Sequence, residues 1–274
     1  MISVQTALET LMEAPSAEWM NEVFLRVERW VGRTLFAAPF LEGDRRMLFV
    51  LGHMRTGSSL LVHILVSHRN IMGYGETHNV YTGPEDFGAT AANVYRHMRA
   101  IPGGEAYLLD KVLHEHHILH SDVLEHSSVR VLFMIRRPDT ALSSMVRNVR
   151  NDVVSGAEEA YRHYVQQMEW IHQLSQGLPA EQWTHTTYSE LMQKSDAVLA
   201  RIASFLELSA PLSKHYETNR YTGTPGIGDP GPHIEAGCIK RDIDRDVEPR
   251  VRPYVERAQE RFETCRQLLQ GKGR

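Results

Sequence analysis

The sequence predicts an α/β fold: a central parallel sheet flanked by helices, with helical extensions at the N- and C-terminal ends. Three observations carry this prediction. Met47-Leu48-Phe49-Val50-Leu51 is a wholly apolar run, as expected of a strand buried on both faces of a parallel sheet. The run ends at Gly52, and a Gly/Ser loop leads from there into the apolar helix Leu60–Val66. Further along, strand-like and helix-like patterns alternate, which is the order that builds a parallel sheet with helices on its faces.

The elements follow in chain order. Met20, Val23, Phe24, Val27 and Trp30 recur at helical spacing, so the N-terminal region reads as a helix, with Ser16 after Pro15 as its N-cap. After the first strand and its helix, strands are expected at Ile71–Tyr74, Tyr107–Lys111, Val129–Ile135 and Trp183–Thr187. Leu142, Met145, Val146 and Val149 form one helical stripe. Tyr161, Tyr164, Val165, Met168 and Ile171 form another. A third, Leu191, Val198, Ile202 and Phe205, opens with the capping box Thr187-x-x-Glu190. Val251, Val255, Ala258, Phe262, Cys265 and Leu269 mark a C-terminal helix. Stripes of this kind ordinarily pack into a core, and that is the expectation for all of them. Tyr221–Gly237 is rich in glycine and proline and reads as a long loop, a lid or a linker. No repeat and no boundary divides the chain, so residues 1–274 read as one domain.

Composition narrows the function classes. The 274 residues are 42% apolar and 23% charged, an ordinary globular balance. Thirty basic against thirty-four acidic residues give a net charge of −4, which argues against a nucleic-acid-coating protein and against a polyanionic glycan acceptor. A local anion site is compatible with that charge. Cys238 and Cys265 are the only cysteines, so neither a disulfide framework nor a Cys-rich zinc module is expected. The N-terminal acidic residues do not fit a signal peptide, and no apolar stretch is long enough to span a bilayer. The reading is a soluble, cytoplasmic protein; a homodimer is left open.

Gly52-His53-Met54-Arg55-Thr56-Gly57-Ser58-Ser59 has the Gly-x4-Gly spacing of a phosphate-binding loop, and lies between a strand and a helix as such a loop does. The fold is accordingly expected to be P-loop-like. Ser58 stands where a nucleoside-triphosphatase has its lysine, which counts against a triphosphate. The backbone N–H groups and the helix N-terminus still favour an anion. Arg55, Thr56, Gly57, Ser58 and Ser59 are the candidate ligand-binding residues of this loop.

A second basic point follows the strand Val129–Ile135. Arg136-Arg137-Pro138 ends that strand, and Ser144 lies eight residues past Arg136 on the following helix. Ligands of open α/β sheets bind outside the carboxyl ends of the strands. Where a triphosphatase would commonly place an acidic magnesium ligand, this chain places arginine. Arg136 with Ser144 suits a second phosphate bound directly.

Together the two segments resemble the sulfotransferase family that uses 3′-phosphoadenosine 5′-phosphosulfate (PAPS). In that family the strand–loop–helix binds the 5′-phosphosulfate, and an arginine with a serine eight residues on binds the 3′-phosphate. The pattern is most similar to the protein tyrosyl sulfotransferases and their bacterial relatives, over roughly Met47 to Leu208. Gly75-Glu76-Thr77 falls where their Gly-Glu segment carries the general base. Lys111 matches a lysine on the strand before the 3′-phosphate arginine, and Tyr188 matches a tyrosine after the fifth strand. The resemblance implies transfer of a sulfuryl group from PAPS to an acceptor hydroxyl, phenol or amine. The products include adenosine 3′,5′-bisphosphate (PAP), and no metal is required. Arg55, Ser58 and Lys111 would stabilise charge on the sulfuryl group and the leaving phosphate. Glu76 would take the acceptor proton.

His114 is a rival base, since imidazole ordinarily titrates near neutrality; position favours Glu76. His114, His116, His117 and His120 cluster, but no carboxylate or cysteine at ligand spacing joins them, so no metal site is expected. Lys240 and Arg241, after the Gly/Pro loop, could close over the 3′-phosphate. A small-molecule acceptor is favoured, with glycan, lipid or peptide not excluded. The competing readings are a P-loop small-molecule kinase and a non-catalytic nucleotide-binding protein.

Overall fold

The computed structural model describes residues 17–100, 103–113, 119–147, 154–219, 222–223, 234–240 and 246–272. Five strands form one parallel sheet: β1 (Arg46–Gly52), β2 (Ile71–Met72), β3 (Tyr107–Val112), β4 (Val129–Ile135) and β5 (Trp183–Thr187), in the spatial order β2-β3-β1-β4-β5. The apolar run that marks β1 sits in the middle. Its register sets Val50 opposite Lys111 of β3 and Gly52 opposite Met134 of β4. The carboxyl ends of β1, β3 and β4 therefore lie side by side, and the loops after them meet at one rim.

The main helices are α1 (Ala17–Leu35), α2 (Ser58–Val66), α3 (Asp86–Met98), α4 (Pro138–Arg147), α5 (Ala157–Gly177), α6 (Tyr188–Gln193), α7 (Ser195–Phe205) and α8 (Arg252–Lys272), with single helical turns at Ala38–Leu41 and Ser121–Leu124. Successive side chains of a strand point to opposite faces, so β1 feeds two cores. Met47, Phe49 and Leu51 join residues of α3, α4, α5 and α8. Leu48 and Val50 join residues of α2 and α7. Phe49 is fully buried and meets Tyr81 edge to face at 5.0 Å between ring centroids. Burying one such side chain contributes roughly 1.5–3 kcal/mol.

Several expectations change. The predicted strand Ile71–Tyr74 pairs as a strand only at Ile71–Met72; just beyond it, Gly73 lies so close to the Leu109 carbonyl that a side chain there would have no room. The stripe from Leu191 to Phe205 is two helices. The capping box Thr187–Glu190 is present and starts α6, but Lys194, at φ −128° and ψ 37°, breaks the run before α7. Phe24, Val27 and Trp30 of α1 are 51%, 53% and 67% exposed, not core. Helix α1 meets α3 instead through Gly32, whose backbone lies against Gly88 and Ala89, and through the ion pairs Glu28–Arg96 and Arg33–Asp86. That contact turns the apolar stripe outward. Among the described residues no helix is long and apolar enough to cross a membrane.

Candidate active site

The loop from Gly52 to Ser59 carries β1 into α2. Gly57 caps α2 with φ 88°, a left-handed conformation that glycine adopts without steric cost. A Cβ there would also stand 2.5 Å from the Tyr188 ring, so the position lacks both the backbone freedom and the room for any other residue. Arg55 has φ 62°, an unusual conformation that persists only when neighbours fix it. Those neighbours are present. The Thr56 N–H donates to the His53 carbonyl at 3.3 Å, and Thr56 Oγ1 accepts the Ser58 N–H at 3.3 Å. Thr56 and Ser58 are buried, whereas Arg55, Gly57 and Ser59 are half-buried.

Arg136, just past β4, reaches this loop in two ways. Its backbone N–H donates to Nε2 of His53 at 3.2 Å, and its Nη1 donates to the Arg55 carbonyl at 3.2 Å. Its Nε donates to Thr140 Oγ1 at 3.1 Å, and its guanidinium carbon lies 3.9 Å from the centre of the Tyr188 ring. Arg55 Nε donates to Ser144 Oγ at 3.0 Å. The structure thus brings Arg55, Arg136, Ser144 and Tyr188 together. Tyr188 is a wedge between Gly57 and Arg136, and Ser144 accepts from Arg55.

Residue His53 joins the two strand ends. A carbonyl can only accept, so the Nδ1 atom 2.8 Å from the Met54 oxygen carries the proton, and Nε2 is left to accept from Arg136. Burial pushes His53 down to about 3, which keeps the ring neutral and in this tautomer. Its ring also packs on Tyr164, whose hydroxyl donates to the Arg136 carbonyl at 2.8 Å.

The second part of the site stands beside the first. Lys111 Nζ lies 3.1 Å from Glu76 Oε1 and donates to Ser59 Oγ at 3.2 Å. Both partners of the ion pair are buried. The Lys111 N–H donates to the Gly75 carbonyl at 3.1 Å, which extends the pairing of β3 past the end of β2. Asp110, the neighbour of Lys111, is also buried. It accepts the Thr77 N–H at 2.9 Å, the Thr77 hydroxyl at 2.7 Å and the Tyr81 hydroxyl at 2.6 Å. Burial raises the Asp110 carboxyl from its usual range, while these donors pull it back.

Of the residues singled out in the sequence, Arg55, Thr56, Gly57, Ser58, Ser59, Glu76, Lys111, Arg136, Ser144 and Tyr188 gather at this rim. Lys240 is exposed, and the described contacts do not tie it to the loop. His114, like His116, His117, Arg241 and most of Tyr221–Gly237, lies outside the described residues. His53, Thr140, Tyr81 and Asp110 were not anticipated. Asp110 had a signal, since an Asp-Lys pair interrupts the otherwise apolar Tyr107–Val112. His53 had none beyond its place in the glycine loop.

Comparison with known proteins agrees with this fold. The model of the sulfotransferase family matches residues 84–211, a span that includes Lys111, Arg136, Ser144 and Tyr188 but not the Gly52–Ser59 loop or Glu76. The sulfotransferase domain from the curacin biosynthetic pathway superposes with a TM-score of 0.55 at 16% identity, over 80% of this chain and 98% of that one. The sulfotransferase domain of the Synechococcus PCC 7002 olefin synthase superposes with a TM-score of 0.50 at 16% identity, over 80% of this chain and 94% of that one. A search of curated proteins finds no match. Residues 84–211 are similar to the sulfotransferase family, and the chain shares the α/β fold of solved sulfotransferase domains.

Proposed function

We propose that the protein is a PAPS-dependent sulfotransferase acting on a small molecule that bears a hydroxyl, phenol or amine. One observation carries this reading: the loop at the end of β1 and the Arg136–Ser144 segment after β4 converge on Arg55, with Glu76 and Lys111 joined to the same loop through Ser59. Two clustered anion-binding elements and a neighbouring carboxylate are what a 3′,5′-phosphorylated nucleotide and a proton-losing acceptor need.

In this reading the Gly52–Ser59 loop and Arg55 hold the 5′-phosphosulfate, and Arg136 with Ser144 holds the 3′-phosphate. The acceptor heteroatom attacks sulfur as the bond from sulfur to the 5′-phosphate oxygen breaks, and the bond electrons leave with PAP. The acceptor proton passes to Glu76. Such a transfer is in-line and loose, so it depends on positioning and on neutralising charge at the leaving oxygen. Lys111, donating to Ser59 beside the loop, and Arg55 supply that charge.

The kinase reading has less support. Ser58 replaces the phosphate-gripping lysine, and the carboxylate nearest the loop along β3, Asp110, is engaged by Thr77 and Tyr81. A thermal-shift panel of PAP, ATP, ADP and AMP, each with and without magnesium, tests the assignment. PAP alone is expected to stabilise the protein, by about 2.7 kcal/mol at one hundred times its dissociation constant. A shift seen only with ATP and magnesium would replace the sulfotransferase reading with the kinase one.

A further inference from the structure

The Gly75–His78 segment carries Glu76 on an unusual backbone. Gly75 has φ 141° and His78 has φ 55°, so the chain leaves the sheet through two conformations that side chains disfavour. A path of this kind holds its shape only where surrounding contacts over-determine it. The contacts come from two adjacent residues of β3. Lys111 grips Gly75 through its backbone and Glu76 through its ammonium group. Asp110 points to the opposite face of the sheet, as alternation requires, and takes both the N–H and the hydroxyl of Thr77.

We infer that Asp110 is a positioning residue for sulfuryl transfer: it locks Thr77 by two hydrogen bonds and so sets where the Glu76 carboxylate stands. The inference rests on the reading of Glu76 as the base. Hydrogen bonds to an ionised acceptor are roughly twice as strong as neutral ones, and the Asp110 carboxylate accepts three. The third ties the anchor to the body of the protein. Tyr81 donates to Asp110 and accepts from Thr90 of α3 at 2.9 Å, and Thr90 accepts from Asn79 at 2.9 Å. The segment is thereby fixed to β3 and to α3 together. Without it, Lys111 would still attract Glu76, but as a flexible point charge that sets no direction.

Thr77→Val removes the hydroxyl while keeping the shape of the side chain, and Thr77→Ser retains the hydroxyl. A misplacement of about 1 Å costs up to roughly 10²-fold in rate. Thr77→Val is therefore expected to lower kcat by about 10- to 100-fold while leaving the KM for PAPS and the affinity for PAP within two-fold, and Thr77→Ser to restore most of kcat. Asp110→Asn is expected to speed hydrogen exchange at the Thr77 amide, a readout independent of turnover. Glu76→Gln is the control. If it retains turnover, the reading of Glu76 as the base fails, and the positioning role falls with it. If Glu76→Gln is impaired but Thr77→Val turns over normally, or if the Thr77 amide exchanges unchanged in Asp110→Asn, the positioning role is overturned and the base assignment stands. A kcat loss matched by an equal loss of PAP affinity, or one that Thr77→Ser does not restore, also overturns it.

Discussion

Arg55 and Ser144 stand 89 positions apart in sequence, and the Nε–H of Arg55 donates to the Ser144 hydroxyl at 3.0 Å. The residue proposed for the 5′-phosphosulfate and a residue proposed for the 3′-phosphate thus touch. Arg136 joins the same residue by donating to the Arg55 carbonyl. In PAP the two phosphates are borne by one ribose, so two proposed anion-binding elements this close suit one bisphosphate ligand.

Removing Arg136 should separate the two nucleotides that differ only in the 3′-phosphate. Arg136→Ala is expected to weaken PAP by roughly 10- to 100-fold, the worth of a charged hydrogen bond, and to change AMP little. Calorimetry with both nucleotides decides the matter. Equal losses would show that Arg136 does not bind the 3′-phosphate.

Glu76→Gln keeps the shape of the side chain and removes its basicity. Turnover should fall by roughly 10²–10⁴-fold, with PAP affinity nearly intact. Should Glu76→Gln keep most of its rate while His114→Ala loses it, the histidine is the base.

Gly57→Ala faces two obstacles, the left-handed backbone at φ 88° and the Tyr188 ring 2.5 Å from the new Cβ. Loss of stability of more than about 1 kcal/mol is expected, together with loss of PAP affinity, because the wedge that supports Arg136 must move. Gly57→Ala with Tyr188→Ala relieves the steric obstacle and leaves the backbone one. Its melting temperature should therefore recover only in part. Full stability in Gly57→Ala alone would show that the loop can rearrange freely.

Two buried histidines give the fold a pH dependence of known sign. Burial depresses His53 to about 3 and His185 to about 4, against 6.5 when exposed. Below pH 6.5 the unfolded chain takes protons that these rings refuse, so stability is full above about 6.5 and falls as pH drops toward 4. The slope approaches about 1.4 kcal/mol per pH unit for each histidine. Denaturant unfolding between pH 7.5 and 5 measures it, and His185→Gln should make the curve shallower. An unchanged slope in that variant would mean that His185 takes up its proton while folded.

The legible parts of the molecule are those whose cause is local. Met47–Leu51 announces a central strand because every residue of it is apolar. The Gly-x4-Gly loop declares itself because strand, glycine and helix are contiguous. Thr187 and Glu190 show their capping box within one turn. Helix α3 is legible in principle, since Phe87, Ala91, Val94 and Tyr95 recur at helical spacing and form its buried face, but it was not anticipated. The outward turn of Phe24, Val27 and Trp30 depends on where Gly32 finds Gly88. Asp110 and His53 escaped for the same reason. Their partners Thr77, Tyr81 and Arg136 are distant in sequence, and only the assembled sheet brings them within hydrogen-bond reach.

The strand order carries a consequence for synthesis. β1 is flanked by β3 and β4, so during translation its apolar side chains and both of its unpaired hydrogen-bonding edges emerge long before either neighbour exists. The second neighbour is complete only when the ribosome has passed Ile135. At about 5–20 residues per second this interval lasts several seconds. For that time a bare, strongly apolar strand is open to chaperones and to other nascent chains. Expression yield should therefore respond to translation speed over the segment between Gly52 and Ile135 more than to changes near α8.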